Sequence, residues 1–523
     1  MYRNAWWSNK DKCIYLRTWN ENGERVTEKV PFSPYLYIET PRGQYESVLG
    51  TKLARKDFPT PFDRTLFLKS YGSDRVYEKF DAFHQFLLDK YWQHCSEPSF
   101  TRLPLRVLFY DIEVDPLPDG EFPTPEESKA EINLISFYDS LAKKYYIFSK
   151  NDYTGNGLGD DTEYVKCDNE QDLLRRMILF WQQDDYPDIV SAWNSNSFDL
   201  PYIKGRIEKV LGESEFLKLS PYGAIKDSLA TDKMGHEYTR FDIAGVANID
   251  FIDAYIRFNQ KRQESYRLDY IAHMELGVGK VEYESNIQDF MREDWNRFVE
   301  YNKRDVELLV KLEDKLNYFK IIRIFAYHAC TNFEKALLTI PITNGVLAVK
   351  ARSIGKKLHF FKNSLAKGDL TGGLVQSTSG FHHDIVTFDA TSLYPSIIIS
   401  NNISPETKIG VARPTTFTQD IYQGQDDDKF KITLVNGKEY EVTRKKLRKF
   451  VKSQNLVLCP NGAMFLQDQQ GMLPSWVEGI LNKRLAIRQE MKQKKKELRF
   501  LKSQLDYGVS SSSLGHRVHP DRP

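Results

Sequence analysis

A multidomain fold, α/β in one part and α+β in the others, is predicted by three features of this sequence. Its 523 residues suffice for roughly three or four domains. Over residues 105–318, short apolar runs alternate with amphipathic stretches of helical period, the pattern of a central mixed sheet covered by helices. On either side lie β-rich segments punctuated by Asn-Gly and Gly-Gly turns.

Composition narrows the class. Apolar residues make up 41% of the chain, which fits a globular protein with large cores. The formal net charge is +1, so any nucleic-acid-binding surface has to be local. The 5 cysteines are odd in number and form no C-x-x-C or Cys/His cluster, which predicts a reduced, intracellular protein without a zinc site. The start, MYRNAWWSNKDKCIYL, has no apolar signal-peptide core. No run of about 18 apolar residues occurs, so no membrane partner is expected.

The elements follow in order. Residues 13–39 read as a strand, an Asn-Gly turn and more strand, and 79–97 as a helix. LRVLFYDIE (105–113) is a short apolar run ending in acids, the signature of a buried strand with functional groups at its end. Residues 132–148 read as two strands, 171–183 as an amphipathic helix, 188–194 as a buried strand, 198–212 as a helix and 294–318 as a long helix. Residues 318–360 read as mostly helical. A Gly-Gly turn, an apolar strand VTFD and a strand pair around Asn436-Gly437 follow. From Pro474 to about Lys502 the pattern is one basic helix, and 506–523 reads as a disordered tail.

Chemistry enters with the acids. In a strand, residues two apart share a face, so Asp111 and Glu113 point the same way, where two carboxylates repel unless a cation lies between them. Asp199 follows a buried strand at a helix start; filling an N-cap is its structural alternative. Tyr301 and Asp305 are one helical turn apart; an ordinary amphipathic helix is theirs. None of these is specific alone. Their order along the chain, strand D-x-E, then loop Asp, then helix Y-x-x-x-D, resembles the DEDD exonucleases of the Y-x-x-x-D subtype. That resemblance implies an RNase H-like 3′→5′ exonuclease domain. It also implies two Mg²⁺ ions per site, with Mn²⁺ as substitute, about 3.5–4 Å apart, held by Asp111, Glu113, Asp199 and Asp305. Tyr301 would orient the attacking water, and Asn194 and Phe198 would contact a frayed single-stranded 3′ end.

FDATSLYPSIIISNNISPET (388–407) is the most specific stretch. It resembles motif A of family B DNA polymerases, and the chain as far as about residue 490 resembles the T-even-type phage replicative group. Implied by this are Asp389 and the Ala390 carbonyl as ligands of the polymerase metals. Ser392, Leu393 and Tyr394 would bind the dNTP, and the Tyr394 ring would exclude a 2′-hydroxyl. Gly372 and Gly373 would contact primer-template DNA, although Leu370 stands where the family has tyrosine. Residues 220–246 match the place of the group's exonuclease hairpin, an ordinary surface hairpin being the alternative. Two basic stretches are more open. Nine basic residues lie between Lys483 and Lys502, against Glu490 and Glu497. They read as a solvated arm or as a triphosphate-binding face including Lys483, Arg484 and Arg488. RKKLRKFVK (444–452) reads as a solvated edge strand or as a segment near duplex phosphates.

The expected organisation is an N-terminal domain, 1–105, to which 318–360 return. An exonuclease domain, 106–317, a partial palm, 361–471, the start of a fingers helix, 472–505, and the tail follow. The family's D-T-D and K-x-x-x-N-S-x-Y-G motifs do not occur after residue 407. The expectation is therefore a truncated or split polymerase that proofreads unaided and synthesises only with a second polypeptide carrying the rest of palm, fingers and thumb. It would work among phage replisome proteins in the cytoplasm of an infected bacterium. A free-standing exonuclease and a non-catalytic DNA-binding subunit are the alternatives.

Overall fold

The computed structural model describes residues 1–72, 75–95, 102–117, 123–231, 237–259, 261–278, 287–359, 376–415, 420–435 and 437–512, without the side chains of 287–288 and 504–512. The chain divides into two compact units, residues 1–45 with 52–362 and residues 46–51 with 363–523.

The first unit is organised by a six-stranded mixed sheet. Its order is Thr162–Lys166, Lys144–Ser149, Ile132–Asp139, Val107–Val114, Ile189–Ser191 and Ala247–Asn248. The last three run parallel to one another, and Ile132–Asp139 pairs antiparallel with Val107–Val114 and with Lys144–Ser149. Four of these strands come from the apolar runs expected to form them, Thr162–Lys166 and Ala247–Asn248 being additions of the structure, and a mixed central sheet is what the alternation of strand and helix predicted. One face is closed by the helices Glu170–Gln182 and Asp199–Val210. Their buried Leu173, Met177, Trp181, Tyr202 and Ile203 pack with Tyr110, Ile112, Ile135 and Phe137. The long helix Trp295–Leu316 packs against Val107–Val114 and Ile132–Asp139.

The three antiparallel strands Asn4–Ser8, Cys13–Trp19 and Arg25–Pro31 lock onto this sheet through charge. Asp188, wholly buried just before the strand Ile189–Ser191, accepts from Arg3 at 2.9 Å and Arg25 at 2.8 Å, with Arg17 at 3.5 Å. Such a cluster holds only while every charge keeps its partner. The helices after residue 317 pack back on the same strands. The Tyr2 hydroxyl donates to the Thr331 carbonyl at 2.7 Å, and the buried His84 ring donates to the Ala329 carbonyl at 2.9 Å. All five cysteines are free and buried. Among the described residues no helix is long and apolar enough to cross a membrane.

The second unit holds a five-stranded antiparallel sheet in the order Glu439–Thr443, Lys429–Leu434, Lys408–Pro414, Ala463–Leu466, Leu456–Leu458. Its core is Ala412, Phe430, Ile432, Leu447, Leu456 and Met464. Three expectations are corrected here. RKKLRKFVK is not an edge strand but the helix Arg444–Ser453, because its apolar residues recur at helical spacing and Thr443 caps it. The segment VTFD forms no strand. Residues 376–392 are exposed and irregular, since a strand exists only against a neighbour and no described strand pairs with it. The basic helix runs Met472–Ser512, so residues 506–512 are helical rather than part of a tail; 513–523 lie outside the described residues.

Candidate functional site

The carboxylates are carried near the end of one strand, at the start of the helix that follows its parallel neighbour, and on the long helix packed against the first strand. Along Val107–Val114, Ile112 is buried in the core while Asp111 and Glu113 on the opposite face are half-exposed. Asp111 lies opposite Ser136 and Glu113 opposite Leu134, and the ladder shifts register just after Glu113. The neighbouring strand Ile189–Ser191 leads into the loop 192–198 and then into the Asp199 helix. Phe198, not Asp199, is the cap residue of that helix. Asp199 is therefore free of the capping role that was its structural alternative.

Asp199 is 4% exposed. Burial pushes its carboxyl up to about 7, against the pull of two backbone N–H groups, its own and that of Ile112. The Tyr301 helix closes the group from another side. Asn302, wholly buried, donates from Nδ2 to Asp111 Oδ2 at 2.6 Å. Tyr301 and Asp305 are both buried; the Tyr301 ring packs with Leu134, Ile147, Phe290 and Phe298. The buried Tyr110 phenol is pushed well above its ordinary range, first by burial and then by the charges of Asp199, Asp250 and Asp111.

Asp250 was missed in the sequence. It is 3% exposed and caps the helix Phe251–Phe258, accepting from Ile252 N at 3.2 Å. The same carboxyl reaches back across the sheet end and accepts from Asn194 N at 2.9 Å and Asn196 N at 3.0 Å. It thereby holds Asn194 in the left-handed region, φ 64°, a conformation costly for most residues but tolerated by asparagine. Burial, reinforced by Asp253, pushes Asp250 up to about 8 despite these three donors. An Asp before the apolar run FIDAYIRF announces a cap; nothing local announces the reach to residues 194 and 196. Asn302, inside the Y-x-x-x-D turn, was likewise passed over.

Among the described residues, no three His, Cys, Asp or Glu side chains stand close enough together to hold a metal ion. As a donor set, all-oxygen carboxylates fit hard divalent ions such as Mg²⁺ and Mn²⁺.

In the second unit Asp389 and Ala390 lie in the irregular, exposed stretch before the helix Leu393–Ser400. Ser392 stands at the start of this helix with φ 53°, and Leu393 and Tyr394 form its exposed first turn. The helix packs against the long basic helix that carries Lys483, Arg484 and Arg488, all exposed. Gly372 and Gly373 lie outside the described residues. Residues 220–246 contain the antiparallel hairpin Ile225–Thr231 with Glu237–Ile243. Its base is held by Tyr222, stacked on Trp6 at 5.0 Å.

Comparison with known proteins decides the family. Residues 69–271 match the family model of the DNA polymerase family B exonuclease domain, and residues 320–511 match that of DNA polymerase family B itself. The chain belongs to DNA polymerase family B. Among relatives of this family B chain, the DNA-directed DNA polymerase of Escherichia phage RB69 is 26% identical over 501 residues, 90% of this chain and 52% of that protein. That of Enterobacteria phage T4 is 26% identical over 534 residues, 97% and 56% respectively. DNA polymerase 1 of Sulfurisphaera ohwakuensis is 30% identical over 329 residues, 57% and 34%. The chain spans about half the length of the two phage relatives it matches.

Proposed function

We propose that these 523 residues carry a 3′→5′ exonuclease that hydrolyses the terminal phosphodiester of single-stranded DNA ends, the proofreading activity of a family B polymerase. One observation carries the reading: the Asn302 amide on Asp111 joins the Y-x-x-x-D helix to the strand D-x-E, beside the parallel strand whose following loop leads into the Asp199 helix. The mixed sheet beneath them supports an RNase H-like domain over 106–317. Asp111, Glu113, Asp199 and Asp305 would hold two divalent ions, Mg²⁺ or Mn²⁺. When bound, such ions neutralise the phosphate and make hydroxide available near neutral pH.

The chain's own groups do the rest. Asn302 fixes the orientation of Asp111. Tyr301, anchored by its ring, positions the attacking water with its hydroxyl. The loop held by Asp250 offers Asn194 and Phe198 to the frayed 3′ nucleotide, and the projecting hairpin helps pass the primer strand between sites. Proximity of this kind supplies much of a hydrolase's rate.

Nucleotidyl transfer is a second activity of the same protein. Asp389, with the Ala390 carbonyl, would bind the polymerase metals. Ser392, Leu393 and Tyr394 would meet the dNTP, with Lys483, Arg484 and Arg488 on the adjacent basic helix, and Gly372 and Gly373 would touch primer-template DNA. The family's D-T-D carboxylates are not among these 523 residues, so the proposal for synthesis covers the share of the site that Asp389 and the nucleotide-binding residues would supply. The phage relatives support a place among phage replisome proteins in the cytoplasm of an infected bacterium.

The test is digestion of 5′-labelled single-stranded DNA. Mg²⁺-dependent shortening from the 3′ end, lost in Asp111→Ala plus Glu113→Ala, is expected; shortening that survives both substitutions refutes the site.

A further inference from the structure

The helix Arg444–Ser453 carries a cationic face that neither proposed active site uses. Its inner side is committed to the fold. Leu447 is buried in the core of the five-stranded sheet, with Phe450 and Val451 packed beside it, and the buried Arg444 pairs with Asp428 at 2.8 Å. At about 100° per residue, Lys445, Arg448, Lys449 and Lys452 fall within an outer arc of about 100°, which Lys446 widens to about 160°. All five are exposed.

The neighbouring acids do not cancel this face. Asp428 is taken by Arg444, and Asp426 reaches only Arg448, at 3.3 Å. Among the described residues, Lys445, Lys446, Lys449 and Lys452 make no ion pair. The four ammonium groups therefore repel one another over about 10 Å of helix, an arrangement that an anionic ligand relieves.

The face also selects among anions. The helix itself has no large apolar side chain among the exposed ones, and the exposed ring beside it, Tyr422, is tied by its hydroxyl to the Leu458 carbonyl, whereas protein interfaces centre on a desolvated apolar patch and single-stranded nucleic acid is gripped by aromatic stacking. A cationic face without either suits a phosphate backbone whose bases stay paired. Duplex DNA presents roughly six phosphate charges over the same 10 Å of axis.

We propose that the helix Arg444–Ser453 is a binding face for the phosphate backbone of double-stranded DNA, separate from the nuclease and nucleotide-binding residues. Its contacts are sequence-independent, with Lys445, Lys446, Lys449 and Lys452 as the main donors. The inference does not depend on the exonuclease reading. It concerns binding without metal, where hydrolysis does not occur, and the digestion assay above tests the other claim by itself.

The experiment uses the whole chain in EDTA and a fluorescently labelled duplex of about 20 base pairs, with anisotropy measured from low to physiological salt. The variant is Lys445→Gln with Lys446→Gln, Lys449→Gln and Lys452→Gln, checked by thermal melting for an intact fold. Four phosphate contacts at about 0.9 each predict a fall of 3 to 4 in the slope of log affinity against log salt. Duplex affinity should weaken at least about tenfold near physiological salt, with a smaller loss for a single strand of the same sequence.

Unchanged duplex affinity and slope would overturn the proposal and leave the face to an acidic protein partner. An equal loss for single-stranded DNA would overturn the duplex assignment. An equal loss in a second variant, with Lys492, Lys494, Lys495 and Lys496 changed to Gln on the long helix, would reduce the effect to net charge and overturn the site.

Discussion

Replacing Asp250 by alanine should disable the exonuclease without touching a proposed metal ligand. The carboxyl serves three backbone donors, Asn194 N, Asn196 N and Ile252 N, at 2.9, 3.0 and 3.2 Å. Losing a helix cap costs about 1 kcal/mol. Each of the other two N–H groups, left without an acceptor, costs about 1–2 kcal/mol after water reaches the outer one. The local loss is then about 3–5 kcal/mol, enough to free a loop that also carries a left-handed Asn194. Because that loop is read as presenting Asn194 and Phe198 to the 3′ nucleotide, kcat/KM on single-stranded DNA should fall about 10- to 100-fold, mostly through KM.

Asp250→Asn keeps one acceptor oxygen but sets an amide N–H₂ against one donor, at a cost of about 1–3 kcal/mol, so its activity should fall between wild type and alanine. The assay is steady-state digestion of a 5′-labelled oligonucleotide, with circular dichroism confirming that the unit stays folded. Wild-type kcat/KM in Asp250→Ala would refute the claim that this carboxyl holds the loop. Equal losses in both variants would refute the donor-by-donor reasoning.

Three further outcomes follow from the same structure. Asn302→Ala removes the 2.6 Å hydrogen bond that orients Asp111; activity should drop about 10- to 100-fold and need more Mg²⁺ for half-maximal rate, and an unchanged Mg²⁺ titration would count against the positioning role. His84 is pushed by burial from 6.5 to about 4, so between these values the unfolded chain takes up the proton and the folded one does not. The stability it secures is whole above pH 6.5 and lost as pH falls toward 4, about 3 kcal/mol in all; His84→Gln should flatten that part of the urea-midpoint profile. Asp188→Ala strands Arg3, Arg17 and Arg25 around a buried site and should destabilise the first unit by about 3–5 kcal/mol, read as a lower denaturation midpoint.

Much of the site was legible because its pieces obey local periodicities. The period of two along YDIEV sends Asp111 and Glu113 to one face and Ile112 to the core, and the structure keeps that division. The spacing of four puts Tyr301 and Asp305 on the buried side of the helix Trp295–Leu316. RKKLRKFVK was ambiguous because nine residues rich in lysine satisfy a solvated strand and a solvated helix alike; Leu447, Phe450 and Val451 decide it only once a sheet lies beneath them. VTFD satisfied the apolar criterion for a strand, yet a strand is a property of a pair, and residues 386–389 have no described strand beside them.

The sequence by itself determined the family motifs, their order, and which face of each strand or helix carries the acids, because these depend on residue type and backbone period alone. Only the tertiary structure decided what holds them. It placed Asp250 under Asn194 and Asn196 and Asn302 against Asp111, and it left the four lysines of Arg444–Ser453 without a counter-ion among the described residues. The physical reason is the range of the interactions. Periodicity acts within a few residues, whereas hydrogen bonds and charge act through space, between positions that chain distance leaves unrelated until the sheet is built.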